Sequence, residues 1–291
     1  MEINNNKFSF RNYLLHGFQS ESESDSSNVP HKTKVNSKIA VFGLSGNPPQ
    51  VGHQTIVNYL SSLDTFDELW IMPVYKHIYS SKQSLANFED RLEMCCLTFE
   101  KFSTSKCFVK VLDIEKECTD YLQAAQGNDV PIKIGTIDVL NYIQTQTTSL
   151  NLDLHLVLST ETYNDLVNGK WKQSQDIVNT VQLEVLKRQG YQLCDKPVVQ
   201  NIRMIYHDLE ITEVSSTLVR NYEMTLLDFF GISDNELQAY LDPSAYGFIK
   251  KERLYFFSQE KVNLKLRAIT LLSLSLASFG LAVLHSRIIK K

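Results

Sequence analysis

Short apolar runs alternate along the chain with segments in which apolar residues recur every three or four positions. The runs have the length and aliphatic content of buried strands, and they cover Lys38–Phe42, Leu69–Val74, Phe108–Leu112, Leu154–Leu158, Gln182–Leu186 and Ile202–Tyr206. Helical patterns lie between them, one after the capping box at Asn87–Asp90 and one over Thr136–Ile143. Strands that alternate with helices predict an α/β fold with a Rossmann-like, doubly wound and mostly parallel sheet.

The two ends of the chain differ from this central pattern, which we assign to one domain over residues 38–255. Residues 1–37 contain few aliphatic residues after Leu15, and Ser20–Ser27 is a run of serine, glutamate and aspartate, so we expect a flexible leader. Phe8–Phe18 within it lacks the features of a secretory signal and is either a docking helix or unstructured. A second capping box, Ser233–Glu236, predicts a C-terminal helical extension that Asp242-Pro243 ends.

The last segment predicts a membrane anchor. Ala268–Ser286 holds 19 residues without Lys, Arg, Asp or Glu, and a helix of that length rises about 28 Å, enough for a bilayer core. A basic linker, residues 256–267, precedes it. From Lys250 onward nine Lys or Arg face two Glu, which suits an anionic membrane surface. We expect the anchor to hold the protein on the cytosolic face of the mitochondrial outer membrane or the endoplasmic reticulum. The alternative is a buried terminal helix in a cytoplasmic protein.

Composition narrows the classes of function. A net charge of -4 gives no sign of a nucleic-acid partner, and 43% hydrophobic residues are ordinary for a globular protein. The five cysteines form no CxxC pair and no His cluster has zinc-ligand spacing, so we expect reduced thiols and no structural metal site. We expect the adjacent Cys95 and Cys96, which lie in an apolar helical pattern, to pack in the core.

The first candidate site is the loop Gly43–His53, directly after the first strand. Its glycines and prolines turn the chain tightly, so that the next helix begins at the carboxyl edge of the sheet, where ligands bind. A helix start there favours phosphate, and His53 is placed to give a phosphate oxygen a charge-assisted hydrogen bond. The alternative is a plain strand-to-helix turn with a capping histidine.

The second candidate site is Val214–Arg220, which follows a strand and precedes an amphipathic helix. Serine and threonine at a helix start cap free amides in any protein, and this is the structural alternative. In a functional site, the same hydroxyls and amides would cradle a polyphosphate. Arg220, one turn into the helix, would supply a fixed positive fork for pyrophosphate.

Together the two motifs resemble the HxGH-type nucleotidyltransferase superfamily, and within it the nicotinamide/nicotinate mononucleotide adenylyltransferase family. The resemblance covers about Lys38 to Tyr255. Further matching segments are Gly46–Pro48, Pro73-Val74, Lys82, Phe88–Met94, Gly135–Leu140, Leu156–Glu161 and Trp171–Ile177. It implies transfer of AMP from ATP to nicotinamide or nicotinate mononucleotide, with Mg²⁺ carried by ATP and release of NAD or deamido-NAD and pyrophosphate. The resemblance is also compatible with a homo-oligomer.

The resemblance also implies the site residues. His53 and Arg220 would be catalytic and hold the ATP phosphates. Other ATP contacts would be Gly43, Ser45, Asn47, Gln50, Glu161, Ser215, Ser216 and Thr217. The mononucleotide would contact Lys82, Arg91, Thr136 and Trp171, with Trp171 stacked on the pyridine ring. The structural alternatives are a core or surface aromatic for Trp171 and a helix-surface ion pair for Arg91.

Two departures from the family pattern keep other functions open. Gln50 stands where the family has His or Thr, and it can donate a hydrogen bond but carries no positive charge. Ser159-Thr-Glu161 stands where the family has Gly-x-Asp, which lengthens the carboxylate side chain and adds bulk. One alternative is a related nucleotidyltransferase with another phosphate-bearing acceptor. The other is a membrane-tethered nucleotide-binding protein with impaired catalysis.

Overall fold

The computed structural model describes residues 7–17, 31–76, 85–127, 132–211, 216–221 and 239–255. The strands in these ranges are β1 (Lys38–Leu44), β2 (Glu68–Pro73), β3 (Phe108–Val111), β4 (Asp153–Ser159), β5 (Gln182–Arg188) and β6 (Met204–Ile211). They form one six-stranded sheet in the order β3-β2-β1-β4-β5-β6, and every pairing is parallel. The strand order reverses between β1 and β4, and this reversal opens a crevice at the carboxyl edge.

Helices connect and flank the strands. They are α1 (Phe10–His16), α2 (Val51–Ser62), α3 (Phe88–Phe99), α4 (Ile114–Gln126), α5 (Thr136–Gln146), α6 (Thr160–Val167), α7 (Ser174–Thr180), α8 (Ser216–Asn221) and α9 (Pro243–Lys251). Two 3₁₀ turns cover Glu100–Phe102 and Thr148–Leu150. Both sheet faces are buried, in two separate apolar clusters. This explains why the strands read as continuous apolar runs.

The structure confirms the predicted doubly wound α/β fold and all six strand positions. The boundaries of β6 shift furthest, from the predicted Ile202–Tyr206 to Met204–Ile211. The predicted cap of α3 is also present, because the Asn87 side chain accepts the Asp90 amide at 2.8 Å. At Pro243 a helix begins that the sequence did not predict, and buried Asp242 caps it.

The N-terminal helix α1 packs on the sheet, which identifies Phe8–His16 as a docking segment within the predicted flexible leader. Phe10 is fully buried, with its ring centroid 5.2 Å from that of Trp70. The Tyr13 hydroxyl donates to the buried carboxylate of Glu68 at 2.7 Å, and Trp70 Nε1 donates to the same oxygen. Thr33 Oγ1 also donates to Glu68, so both described parts of the leader are bound to β2.

Three predicted features lie outside the described residues: the acidic run Ser20–Ser27, the helix expected after Ser233–Glu236 and the anchor Ala268–Ser286. Within the described ranges, no helix has the length and apolarity needed to cross a membrane.

The burial of Phe10 predicts that α1 contributes to the stability of the whole domain. Phe10→Ala should lower the free energy of unfolding by about 3–5 kcal/mol, because the lost contacts leave a cavity against Trp70. Leu15→Ala in the same helix is the control, since Leu15 is 67% exposed and should cost under about 0.5 kcal/mol. Urea unfolding measures both. Equal, small losses would show that α1 adds nothing to domain stability.

Candidate active site

The loop after β1 fits closely against α3. Gly46 has a φ of 59°, and a Cβ there would lie 2.7 Å from the sulfur of Cys95. Cys95 is fully buried, as the core-packing prediction required, and burial raises the pKa of its thiol. Only glycine therefore satisfies both the left-handed backbone and the close approach of loop and helix.

Arg91 is a buried side chain that holds this loop to two others. It is 1% exposed, and its guanidinium donates to the carbonyl oxygens of Ser45 at 2.9 Å, Val74 at 2.5 Å, Tyr75 at 3.2 Å and Ala86 at 3.1 Å. This corrects the helix-surface ion pair considered above, since its hydrogen-bond partners are backbone carbonyls in the interior. The expected contact with the mononucleotide remains a prediction, and four backbone bonds favour a positioning role.

The structure brings the two sequence motifs together. Arg220 Nη1 donates to the Asn47 carbonyl at 2.6 Å, and Nη2 donates to Thr217 Oγ1 at 3.0 Å. The Ser216 hydroxyl donates to the Pro48 carbonyl at 2.8 Å. Helix α8 thus lies on the loop that follows β1, at the carboxyl edge. Ser215 lies outside the described residues.

The first amides of α2 are already bonded within the chain, which corrects the expectation that they face a phosphate. Val51 N donates to the Tyr240 carbonyl at 2.9 Å, and Gly52 N donates to the side-chain oxygen of Gln50. His53 N and Gln54 N both donate to the Gln50 carbonyl. Gln50 is buried and serves as the N-cap of the helix, so its side-chain oxygen is occupied as an acceptor. At the start of α2, side chains such as His53 are therefore the groups that can meet phosphate.

His53 is neutral in the ligand-free chain. Its Nδ1 accepts a hydrogen bond from the backbone N–H of Gln50 at 3.1 Å, so the neutral ring carries its hydrogen on Nε2. Burial, and then the charge of Arg188, lowers the pKa of His53 to about 4. In the ligand-free chain, His53 can therefore give a phosphate only a hydrogen bond from a neutral ring. The charge-assisted hydrogen bond expected from the sequence would need a protonated ring.

The end of β4 forms the next part of the edge. Ser159 caps α6, where its hydroxyl accepts the Thr162 amide at 3.4 Å and its own amide donates to Thr162 Oγ1 at 2.9 Å. Glu161, the expected adenosine ligand, forms an ion pair with Arg188 at the end of β5. Because the charge of Arg188 also acts on His53, the predicted catalytic and adenosine residues belong to one electrostatic group.

Two segments assigned to the mononucleotide are also in contact. Thr136 is the first residue of α5, which begins at the carboxyl edge because it runs opposite to the strands. Lys172 forms an ion pair of 2.8 Å with Asp138 in the first turn of this helix. A Cβ on Gly135 would lie 3.1 Å from Lys172 Cβ, so the residue after Trp171 rests on the helix start.

Trp171 is partly buried, and its backbone is fixed. The Ser174 hydroxyl accepts from the Trp171 amide at 3.2 Å and donates to its carbonyl at 3.1 Å. The ring packs against the edge of the larger apolar cluster. This position beside the α5 start is compatible with ring stacking, which stays a prediction. Lys82 lies outside the described residues.

Sequence reasoning missed two residues that the structure places at this edge. Arg188 pairs with Glu161 and influences His53, and its signal was a basic pair, Lys187-Arg188, at the end of an apolar run. Tyr255 donates its hydroxyl to Asn47 Oδ1 at 2.8 Å, and no local pattern marked it. In the part of the chain that the structure describes, no three His, Cys, Asp or Glu side chains gather as a metal site.

The lowered pKa of His53 predicts a pH dependence of stability. The unfolded chain protonates His53 below its ordinary pKa of 6.5, whereas the folded chain does so only near 4. Its contribution is therefore complete above pH 6.5 and is lost as the pH falls towards 4. His53→Gln keeps a side-chain acceptor and should lose less stability than wild type between these values. Urea unfolding at several pH values tests this, and parallel curves would contradict it.

Comparison with known proteins agrees with the motifs and the fold. No protein-family model matches the chain. A probable nicotinate-nucleotide adenylyltransferase of Bacillus licheniformis is 24% identical over 219 residues, 75% of this chain and 98% of that protein. The Bacillus subtilis nicotinate-nucleotide adenylyltransferase is 23% identical, over 63% of this chain and 84% of its own. The fold matches a nicotinic acid mononucleotide adenylyltransferase of Plasmodium falciparum, solved with APC, at a TM-score of 0.57 and 18% identity, over 77% of this chain and 100% of that one. With both motifs joined in one site, the chain is similar to the nicotinate mononucleotide adenylyltransferases in its motifs and in its fold.

Proposed function

We propose that this chain transfers AMP from ATP to nicotinate mononucleotide, forming deamido-NAD and pyrophosphate. The observation that carries the proposal is the pair of hydrogen bonds that joins Arg220 and Ser216 to the carbonyls of Asn47 and Pro48. These bonds hold the helix with the arginine against the loop that leads to His53. Two phosphate-directed motifs, far apart in sequence, therefore form one site at the crevice between β1 and β4.

The proposed chemistry is an in-line displacement. The 5′-phosphate of the mononucleotide attacks the α-phosphorus of ATP, a new P–O bond forms, and the bond to the β-phosphate oxygen breaks to release pyrophosphate. The attacking oxygen is already ionised, so no general base is needed. His53 and Arg220 would stabilise the charge that develops on the leaving group, and Arg188 adds a second permanently cationic side chain nearby. A bound phosphate would also favour protonation of His53.

The proposed reaction uses a divalent metal ion that ATP carries into the site. Enzymes of this family use ATP with a divalent metal. Mg²⁺ keeps most of its water and binds phosphate oxygens, so a nucleotide-borne ion fits a site whose protein contacts are His53 and Arg220. When bound, it would neutralise charge on the polyphosphate. The protein residues named here position the nucleotide and the acceptor.

A preference for nicotinate is supported by the start of α5, where Lys172 neutralises the carboxylate of Asp138. Amides in the first turn of a helix favour a negative group by about 0.3–1 kcal/mol, and nicotinate carries a carboxylate where nicotinamide has a neutral amide. Thr136 begins that turn, and the segment of Trp171 and Lys172 lies against it. The Plasmodium falciparum relative, at a TM-score of 0.55, was solved with NaAD. Both points support the deamidated acceptor.

The direct test is product formation. The purified chain is incubated with ATP, Mg²⁺ and either mononucleotide, and products are identified by mass. We expect deamido-NAD, with a higher kcat/KM for nicotinate than for nicotinamide mononucleotide. His53→Ala is the control and should lower kcat by roughly 10²–10³-fold, the scale for removing one preorganised donor. Nucleotide binding without product would favour a nucleotide-binding protein with impaired catalysis. Turnover with another phosphate-bearing acceptor would favour a related nucleotidyltransferase with a different substrate.

Trp171 gives a second test, of the acceptor pocket. Trp171→Ala should raise KM for the mononucleotide far more than KM for ATP, because stacking on a base is worth about 1–3 kcal/mol in comparable sites. Trp171→Phe keeps an aromatic face and is the matched control, with KM values near wild type. Equal changes in both KM values, or none, would make Trp171 a packing residue.

The position of the enzyme in the cell is a separate proposal that rests on sequence alone. Residues 268–286 would anchor the domain to a membrane, with residues 38–255 on the cytosolic side and the basic linker 256–267 at its surface. An N-terminally tagged full chain should resist carbonate extraction, and a version ending near Lys265 should be soluble and active. A full chain released by carbonate would end this proposal.

A further inference from the structure

The chain segment 239–255 touches the candidate active site at two points. The Tyr240 carbonyl accepts the first amide of α2, at Val51, two residues before His53. At the other end of the segment, the Tyr255 hydroxyl donates to Asn47 Oδ1 at 2.8 Å. Helix α9 lies between these contacts and packs on α3, which carries Arg91. The segment therefore spans the same loop that His53 and Arg220 share.

Asn47 is held from three directions. It is 2% exposed, and its side-chain oxygen accepts both the Tyr255 hydroxyl and the Ala86 amide at 3.0 Å. Its backbone carbonyl accepts Arg220 Nη1 at 2.6 Å. Because the carboxamide is fixed on one side, the peptide carbonyl on the other side cannot turn without breaking a buried bond. The Tyr255 hydroxyl and the Arg220 guanidinium are thus joined through a single residue, Asn47.

Packing supports the same connection. A small apolar cluster joins α3, α8 and α9 through Met94, Val219, Leu241, Tyr246 and Ile249. Val219 directly precedes Arg220, so this cluster fixes the backbone from which the guanidinium extends. Packing of this cluster fixes how far the Arg220 side chain reaches towards the loop. The bond from Tyr255 holds Asn47, whose carbonyl accepts the guanidinium.

The hydroxyl of Tyr255 acts as a neutral donor. Burial raises its pKa, although the charges of Arg220 and Arg91 oppose that effect. The proton therefore stays on the oxygen, and the bond to Asn47 persists throughout the range in which the enzyme would work.

We propose that Tyr255 is a positioning residue for Arg220, acting through Asn47. The inference rests on the proposed function, in which Arg220 holds the ATP phosphates. It assigns the end of the catalytic domain, 35 positions beyond Arg220, a role in aligning the leaving pyrophosphate.

The test is a double-mutant cycle on the full chain. Tyr255→Phe keeps the ring and removes the bond, and it should lower kcat/KM for ATP roughly tenfold, since small misplacements of positioned groups have effects of this size or larger. KM for the mononucleotide should stay unchanged. Tyr255→Phe in an Arg220→Ala background should have no further effect, because its target is absent. Tyr246→Phe removes a hydroxyl from the same cluster but keeps the packed ring, and it should lower kcat/KM for ATP much less than Tyr255→Phe does.

The cycle is repeated on the dissociation constant of Mg²⁺-ATP, measured by calorimetry, so that it does not depend on turnover. Equal effects of Tyr255→Phe with and without Arg220, in either measurement, would overturn the proposal. So would a Tyr246→Phe protein as impaired as Tyr255→Phe, which would indicate general loosening. A wild-type chain that binds ATP but makes no product would refute the proposed function instead, and the binding cycle would still decide the role of Tyr255.

Discussion

The buried guanidinium of Arg91 is the interaction on which the arrangement of the site depends. A charge removed from water is costly unless its donors are satisfied, and here four backbone carbonyls from three separate segments satisfy it. Those segments are the loop after β1, the end of β2 and the approach to α3. Because one rigid, planar cation meets all of them, the loops cannot move independently. Removing it would break four hydrogen bonds beside the loop on which Asn47 presents its own carbonyl to Arg220.

The electrostatics of the ligand-free site follow from this frame. Arg188 and Arg220 bring positive charge to the carboxyl edge, and His53 stays neutral there because burial, and then the charge of Arg188, lowers its pKa. The amides at the start of α2 are bonded to Gln50 and Tyr240 and offer little attraction of their own. Attraction of a polyphosphate therefore falls to side-chain cations. Glu161 limits the excess charge through its ion pair with Arg188, and a nucleotide would meet a partly neutralised pocket rather than a bare cationic one.

The sequence predicted the strands and the two motif loops well because both are local. An aliphatic run buried on both faces, such as Ala40–Phe42 in β1, has the same appearance wherever it lies in the sheet. Contacts set by tertiary packing were not predictable in this way. The sequence suggested a mononucleotide contact or a helix-surface ion pair for Arg91, because its four acceptors are backbone carbonyls, which leave no mark in the sequence. The docking of Phe10 on Trp70, and of Tyr255 on Asn47, likewise joins residues more than fifty positions apart.

Gln50 shows how a departure from the family pattern can be explained by the fold. Its side-chain oxygen takes the Gly52 amide, and a Cβ on Gly52 would lie only 3.0 Å from that oxygen. A charged imidazole at position 50 could not accept the amide, because a protonated ring has no acceptor. The glutamine therefore provides a helix cap that is independent of pH. Arg188, which is close enough to lower the pKa of His53, brings to this edge of the sheet a positive charge that glutamine cannot carry.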